Sequence, residues 1–153
     1  MSTTWVLTCS PENYAATRAH AFGAIGIKQR NRRRASRIAV DDRVVLYLTG
    51  LQELAASVVV TGALTPNDEL IWPDRSGTID IYPWRFPTRP EHVPDEAEWI
   101  PAATLVDALD HIQKWPRAHW TLAFQGQLRP VSAHDEQVLV ERLRAAETAT
   151  VGS

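Results

Sequence analysis

The stretch Trp5-Val-Leu-Thr-Cys-Ser-Pro-Glu-Asn13 determines how the fold begins. Residues 5–9 are apolar and partly β-branched, which predicts a buried first strand. Ser10 is a favoured helix N-cap and Pro11 suits the first helical position, so a helix is predicted from there to about Phe22. The chain is therefore expected to start with a strand that runs directly into a helix.

More strands are predicted further along the chain, wherever β-branched or alternating apolar residues are bounded by turn signals. They cover residues 43–49, 55–64, 78–86 and 120–124. Residues 87–98 hold three prolines and four carboxylates, which predicts an exposed connection.

Two helices are predicted in the second half of the chain. One follows Pro101, where apolar residues recur at helical spacing, and the other begins at Ser132, which opens a capping box. Because the links between strands are mostly too short for repeated parallel crossovers, the predicted fold class is α+β with a curled, mainly antiparallel sheet. We expect one domain over residues 1–147 and a flexible tail over residues 148–153.

Composition excludes several classes of protein. The 153 residues are 44% apolar and 22% charged, as in an ordinary globular domain. The longest apolar run, Val44 to Leu48, is too short to span a membrane, and the N-terminus lacks the pattern of a signal peptide. Cys9 is the only cysteine, which excludes an intrachain disulfide and a multi-thiolate zinc site. We expect a cytoplasmic protein that does not associate with membranes.

The charge is unevenly distributed. Residues 13–40 carry no acidic side chain and have a charge of +7, so the rest of the chain has a charge of −9. A basic segment on an acidic body is typical of a surface that binds phosphates, although it also fits a solvated face or an anchor for acidic residues of the same chain. The basic residues expected to contact a nucleic-acid backbone are Lys28, Arg30, Arg32, Arg33, Arg34 and Arg37.

Catalytic motifs are largely missing. The sequence has no glycine-rich phosphate loop, no G-x-S-x-G elbow and no H-E-x-x-H pair, and its five histidines are scattered. We therefore predict no metal and no cofactor. Cys9 and Ser10 lie where a strand meets a helix, a place where a nucleophile can be activated, but the simpler interpretation is that Cys9 continues the strand and Ser10 caps the helix.

Tryptophan is unusually abundant, with six residues. Trp72 lies in a polar loop and Trp84 lies on the polar face of a predicted strand, so both are candidates for stacking on a flat ligand such as a nucleobase. Trp5, Trp115 and Trp120 are expected to fill the ends of a small barrel instead.

The order of these segments resembles the EVE domain, a member of the PUA-like superfamily that is related to YTH domains. The segments that carry the resemblance are residues 5–13, 22–25, 30–34 with 38–47, 56–62, 78–86 and 124–132. Two departures are Asp41-Asp42, where the family usually has Gly-Asp, and Gly23, near where many relatives have a tryptophan.

The resemblance implies a PUA-like mixed β-barrel with flanking helices. It also implies a non-catalytic domain that holds a modified nucleobase in an aromatic pocket, and we expect this base to be a modified cytosine in DNA, which has to be flipped out of a duplex. Ser10 and Asn13 would bind the edge of the base, and aromatic rings would stack on its faces. The ligand-binding residues implied in this way are Ser10, Asn13, Phe22, Gly23, Tyr47, Trp72 and Trp84.

Other functions stay open at this point. ASCH domains share the PUA-like architecture, and some are linked to amidohydrolase or ribonuclease chemistry, for which Lys28 or Tyr47 would be the reactive groups. An RNA-binding or small-molecule-sensing module is a further alternative. A base-binding domain of this size is expected to act together with a separate effector protein.

Overall fold

The computed structural model describes residues 2–67, 69, 71–72, 82–124 and 128–152. Within this part of the chain the strands are β1 (Thr4–Cys9), β2 (Ala24–Ile27), β3 (Arg43–Leu48), β4 (Glu53–Val60), β5 (Thr65–Pro66), β6 (Trp84–His92), β7 (Ile100–Pro101) and β8 (Leu128–Val131). The α-helices are α1 (Pro11–Ala19), α2 (Arg32–Ala35), α3 (Asp110–Gln113) and α4 (Ala133–Gly152). Short 3₁₀ helices cover Gln29–Asn31, Glu96–Glu98, Ala102–Leu105 and Arg117–Phe124.

The strands form one mixed sheet in the order β2-β6-β4-β3-β1-β8, with β5 paired to β6 and β7 paired to β4. β1 and β3 are parallel, and the other pairs are antiparallel. The predicted α+β class, a curled mixed sheet with flanking helices, is confirmed.

The two faces of the sheet support two separate hydrophobic clusters, because successive side chains on a strand point to opposite faces. On β3, Leu46 and Leu48 belong to the first cluster, together with Trp5 and Leu7 of β1. Tyr47 of β3 belongs to the second. The second cluster is covered by residues of the C-terminal helices, which are Leu105, Leu109, Ile112, Phe124, Leu139, Leu143 and Ala146.

The first helix is shorter than its pattern predicts. It ends at Ala19, and both Ala21 and Phe22 adopt positive φ angles of 56°. The Phe22 amide donates to the carbonyl of Thr17, which closes the end of the helix. This turn sends the chain into β2, a strand that the sequence analysis missed because Gly23 and Gly26 resembled loop punctuation.

The predicted exposed connection at residues 87–98 is wrong in its first half. β6 continues through Pro87 and Pro90 to His92. The prolines are tolerated because β6 exchanges its partner β2 for β4 after Pro87, while Pro90 pairs beside a bulge at Ser57 and Val58 of β4. Residues 78–81, the first part of the predicted strand 78–86, lie outside the described residues.

The strand predicted at residues 120–124 is also wrong, because this segment belongs to the 3₁₀ helix Arg117–Phe124. Trp120 and Phe124 are four residues apart, and their rings lie 6.3 Å apart against the second cluster. Their spacing therefore suits a helical segment that packs on the sheet rather than joins it. The predicted helix after Pro101 becomes the 3₁₀ helix Ala102–Leu105 followed by α3.

The final helix, α4, is confirmed. The Asp135 amide donates to Ser132 Oγ over 3.1 Å, as the capping box predicts. Leu139, Leu143 and Ala146 are buried. The domain boundary at residue 147 stays a prediction. Among the described residues, no helix combines the length and apolarity that crossing a membrane requires.

Candidate functional site

A pocket lies beside the C-terminal end of β1, between β2 and α1. Its volume is about 300 Å³ with the open mouth included, and its interior has room for about one water molecule. It is lined by residues of β1, α1, β2 and β3, and by two residues of the connection between β5 and β6. They are Leu7, Thr8, Cys9, Asn13, Thr17, Ile25, Gly26, Leu46, Trp72 and Tyr82.

Trp72 forms one wall of the pocket and is only 3% exposed. Its indole Nε1 donates to Thr17 Oγ1 over 2.8 Å. The ring also lies against the backbone of Gly26, where a Cβ atom would approach two ring carbons of Trp72 and the Cβ of Tyr82 to 2.8 Å. Only glycine allows this close contact, so the glycine inside β2 is explained by the aromatic wall.

Tyr82 forms the adjoining wall. The rings of Trp72 and Tyr82 meet edge to face, with centroids 5.9 Å apart and an interplanar angle of 71°. Asn13 Nδ2 donates to the Tyr82 hydroxyl over 2.9 Å. Each ring is therefore held both by the other ring and by a polar side chain of α1.

The geometry of α1 explains why both polar groups reach the pocket. Asn13 and Thr17 are four residues apart, so they lie on one side of the helix, and Thr17 Oγ1 donates to the Asn13 carbonyl over 3.0 Å. Ser10 does not line the pocket. It caps α1, with its Oγ accepting from the Asn13 amide over 3.1 Å. This bond holds Asn13 in the first turn of α1.

Cys9 lines the pocket, but its environment does not suit a nucleophile. Burial raises the pKa of the Cys9 thiol to about 12, so the group is a neutral thiol near neutral pH. It contributes a small apolar surface beside the two rings.

The structure brings Asn13 and Trp72 together in the pocket, but it places the other five predicted binding residues, Ser10 among them, elsewhere. Phe22 packs in the first cluster with its ring 5.8 Å from that of Tyr14, and Gly23 is exposed beside it. Trp84 is half-buried on β6, and its Nε1 donates to Gln29 Oε1 over 2.5 Å. None of these three residues lines the pocket.

Tyr47 lies on the opposite face of the sheet. Its ring stacks on Phe124 with centroids 4.3 Å apart, and burial raises the pKa of its hydroxyl to about 12. Tyr47 is therefore a core residue of the second cluster and offers nothing to the pocket. The enzyme hypothesis loses one of its two reactive groups.

The pocket residues that the sequence analysis did not select include Thr17, Gly26 and Tyr82. Thr17 could have been found from its helical spacing to Asn13, and Gly26 from its position inside an apolar strand. For Tyr82 the sequence held no comparable signal, since its place in the pocket depends on long-range packing.

The basic segment divides into anchored and exposed side chains. Arg34 donates to the Leu128 carbonyl over 2.8 Å, and the Arg37 guanidinium lies 5.9 Å from the ring of Trp5. Lys28 lies at the pocket, with Nζ 5.7 Å from the centre of the Tyr82 ring. Burial lowers the Lys28 pKa, and the positive charge of Arg30 lowers it further. Between residues 28 and 37, the other exposed arginines are Arg30, Arg32 and Arg33.

A potential metal-ligand cluster occurs far from the pocket in the described residues, formed by Asp110, His134 and Asp135. The Asp135 carboxylate already accepts from the backbone amides of Asp110 and His111, over 2.6 and 2.8 Å. It therefore caps α3, and the cluster is accounted for by the fold.

Comparisons with protein-family models and with curated proteins found no match. Solved structures do match. One is the YTH domain of Zygosaccharomyces rouxii MRB1 in complex with N6-methyladenosine RNA, with a TM-score of 0.63 and 13% identity, covering 93% of this chain and 86% of that one. Another is the YTH domain-containing protein Mmi1 in complex with RNA, with a TM-score of 0.71 and 11% identity over 99% and 87% of the two chains.

This chain has a YTH-related fold. A hypothetical protein from Leishmania major is similar as well, with a TM-score of 0.63 and 16% identity over 95% of this chain and 96% of that one. At these identities the comparisons establish the architecture, and the chemistry has to be argued from the pocket itself.

Proposed function

We propose that this chain is an EVE-like domain that binds a modified base of a nucleic acid and catalyses no reaction. The observation that carries the proposal is the pocket between Trp72 and Tyr82, with the polar side chains of Asn13 and Thr17 on one side. Aromatic faces and a few fixed polar groups are what a flat, hydrogen-bonding ligand requires.

The arrangement of charge around the pocket supports a nucleic acid as the carrier of that base. Lys28 lies against Tyr82 at the pocket, and the exposed arginines follow within the next five residues of the chain. A base that enters the pocket would bring its phosphates past these cations, because the sugar-phosphate backbone stays outside. The YTH domain of MRB1, which has the same architecture, was solved with N6-methyladenosine RNA.

The pocket has to widen for a base to enter. Its interior, which Trp72 and Tyr82 help to line, has room for only about one water molecule. Part of the stacking energy, on the order of 1–3 kcal/mol for each base, therefore offsets the separation of the two rings. A base flipped from a duplex adds an unstacking cost of a few kcal/mol, so we expect tighter binding where the base is already unpaired.

The direct test is fluorescence anisotropy with matched oligonucleotides at two salt concentrations. DNA duplexes and single strands carry plain, methylated or hydroxymethylated cytosine, and RNA strands carry adenine or N6-methyladenine. We expect one modified strand to bind more tightly than its unmodified counterpart, with modified cytosine in DNA as the first candidate. The preference should disappear in Trp72→Ala.

The matched control is Trp115→Ala, which removes a half-buried tryptophan that packs against the second cluster. This variant should keep the preference. Equal, salt-sensitive binding of every strand by the wild-type protein would contradict the proposal and leave only a basic surface.

A further inference from the structure

The basic segment is fixed on the domain, so the directions of its side chains are determined by the fold. Ala35 and Ile38 are buried in the first cluster, and Arg34 donates to the Leu128 carbonyl. These contacts attach the segment by its C-terminal part. Its N-terminal part follows β2, which borders the pocket.

Two cations of this segment lie over two aromatic rings in matching order. Lys28 Nζ is 5.7 Å from the centre of the Tyr82 ring, and the Arg32 guanidinium is 4.3 Å from the centre of the Trp84 ring. The cations flank the 3₁₀ helix Gln29–Asn31, one on each side, and the rings are two residues apart where β6 begins. The two cation–ring pairs follow the same order along both segments, and the first pair contains Tyr82, a wall of the pocket. Together they form a row that begins at the pocket.

The Arg32 side chain is held in a defined position although it is exposed. Gln29 accepts a hydrogen bond from the Trp84 indole, which fixes the ring that Arg32 covers. Among the described residues, the Arg32 guanidinium forms no hydrogen bond and no ion pair. A guanidinium stacked on an indole keeps its N–H groups at the perimeter, where they match the oxygens of a phosphate.

Arg33 differs from Arg32 although it is the adjacent residue. It is exposed and has no aromatic partner among the described residues. Its long side chain can attract phosphates only as a mobile charge, which gives attraction without a fixed position.

We infer that Lys28 on Tyr82 and Arg32 on Trp84 form a phosphate track that leads the nucleic-acid strand away from the pocket. The inference rests on the proposed function. Lys28 binds the phosphate next to the base in the pocket, and Arg32 binds a phosphate further along the same strand. Phosphates repeat along an unpaired strand, so a strand whose base occupies the pocket can present successive phosphates to the two cations in turn. Arg33 attracts phosphates without fixing their position, and Arg34 stabilises the fold through its hydrogen bond to the Leu128 carbonyl.

The test is a scan with methylphosphonates, which replace one charged phosphate at a time by a neutral group. The strand carries the modified base that the wild-type protein prefers, and affinities are measured for wild type, Arg32→Gln and the matched control Arg33→Gln. Urea unfolding of each variant verifies that it is folded. In wild type, binding should be weakened most by neutralising two phosphates: the one next to the modified base, which Lys28 binds, and the one further along the strand, which Arg32 binds.

In Arg32→Gln, neutralising the phosphate further along the strand should no longer weaken binding, and the salt slope should fall by about one phosphate contact. In Arg33→Gln, neutralising that same phosphate should weaken binding as much as it does in wild type. Trp84→Leu keeps the arginine but removes its platform, so it should reduce the effect of that phosphonate in the same way as Arg32→Gln.

Two results separate the track from the proposed function. A preference for the modified base together with identical phosphonate profiles in Arg32→Gln and Arg33→Gln would overturn the track alone. Equal affinity for modified and unmodified strands, with flat profiles in all three proteins, would overturn both.

Discussion

Both faces of the central sheet carry a tyrosine beside a second aromatic ring, but the two pairs are built differently. Tyr47 and Phe124 are stacked in parallel, 4.3 Å apart, inside an apolar cluster covered by α4. Trp72 and Tyr82 meet edge to face at 5.9 Å, and each has its polar atom bonded to α1. The first arrangement fills a core, whereas the second surrounds a space.

This comparison shows which features separate a binding site from packing. All four rings are 9% exposed or less, so burial alone does not distinguish them. The two pairs differ in their neighbours, because positioned polar groups and a cation lie beside only one pair. Asn13, Thr17 and Lys28 lie beside Trp72 and Tyr82, whereas the neighbours of Tyr47 and Phe124 are mostly apolar.

The largest effect on folding is expected on the packed face. Phe124→Ala removes a buried ring that contacts Tyr47, Trp120 and His111, and it should lower the free energy of unfolding by about 3–5 kcal/mol. Urea denaturation measures the loss. The variant protein that remains folded should bind nucleic acid with unchanged affinity. A change in its preference for a modified base would show that this face takes part in binding.

The largest effect on binding is expected on the other face. Trp72→Ala should weaken binding of the preferred modified strand by about 5- to 150-fold, which corresponds to a stacking energy of about 1–3 kcal/mol. Anisotropy at one salt concentration measures the change. Binding of the unmodified strand should change far less, since it depends mainly on the arginines. Equal losses for both strands would remove Trp72 from the base site.

A pH effect on stability should come from the packed face. His111 is buried, and its Nε2 lies 2.6 Å from the Ala123 carbonyl, to which it donates. Burial lowers the His111 pKa from its usual 6.5. Below pH 6.5 the unfolded chain takes up a proton more readily than the folded protein does. The contribution of the neutral His111 to stability is therefore complete above pH 6.5 and declines as the pH falls.

The check compares urea midpoints at about pH 7.5 and about pH 5.5 for wild type and His111→Gln. The variant keeps a donor for the Ala123 carbonyl and cannot be protonated. We expect it to lose less stability at the lower pH than wild type does. The same loss in both proteins would show that other groups control the acid response.

The smallest effect concerns the hydrogen bond between Asn13 and Tyr82. Tyr82→Phe removes the hydroxyl that accepts from Asn13 and should cost about 0.5–1.5 kcal/mol of stability. Both aromatic faces remain, so stacking on a base should be kept. Parallel urea and anisotropy measurements on Tyr82→Phe check the two expectations. A loss of binding as large as that of Trp72→Ala would show that the hydroxyl itself contacts the ligand.

The sequence predicted the fold class, β1, the Ser10 cap and α4, because these depend on local patterns. It missed β2 and the length of β6, because a glycine and two prolines in those strands are permitted only by long-range partners. Gly26 accommodates the Trp72 ring, and Pro87 lies where β6 changes its neighbour.

The pocket was only partly predictable for the same reason. Of the predicted binding residues, Asn13 and Trp72 line the pocket, whereas Tyr47 lies on the opposite face of the sheet. The alternation along β3 carries enough information to reject Tyr47, because Leu46 and Tyr47 cannot face the same side of a sheet. The sequence alone does not distinguish the roles of Tyr82 and Trp84. Only the folded chain shows that Tyr82 lines the pocket and that Trp84 lies beneath Arg32.

The most direct test of the account uses the six tryptophans as reporters of position. A heteronuclear NMR spectrum records the indole N–H signals before and after addition of the preferred modified strand, and Trp72→Phe and Trp120→Phe assign two of them by deletion. We predict that the Trp72 signal shifts and the Trp120 signal on the opposite face does not. A shift of Trp120 with an unchanged Trp72 would contradict the assignment of the pocket.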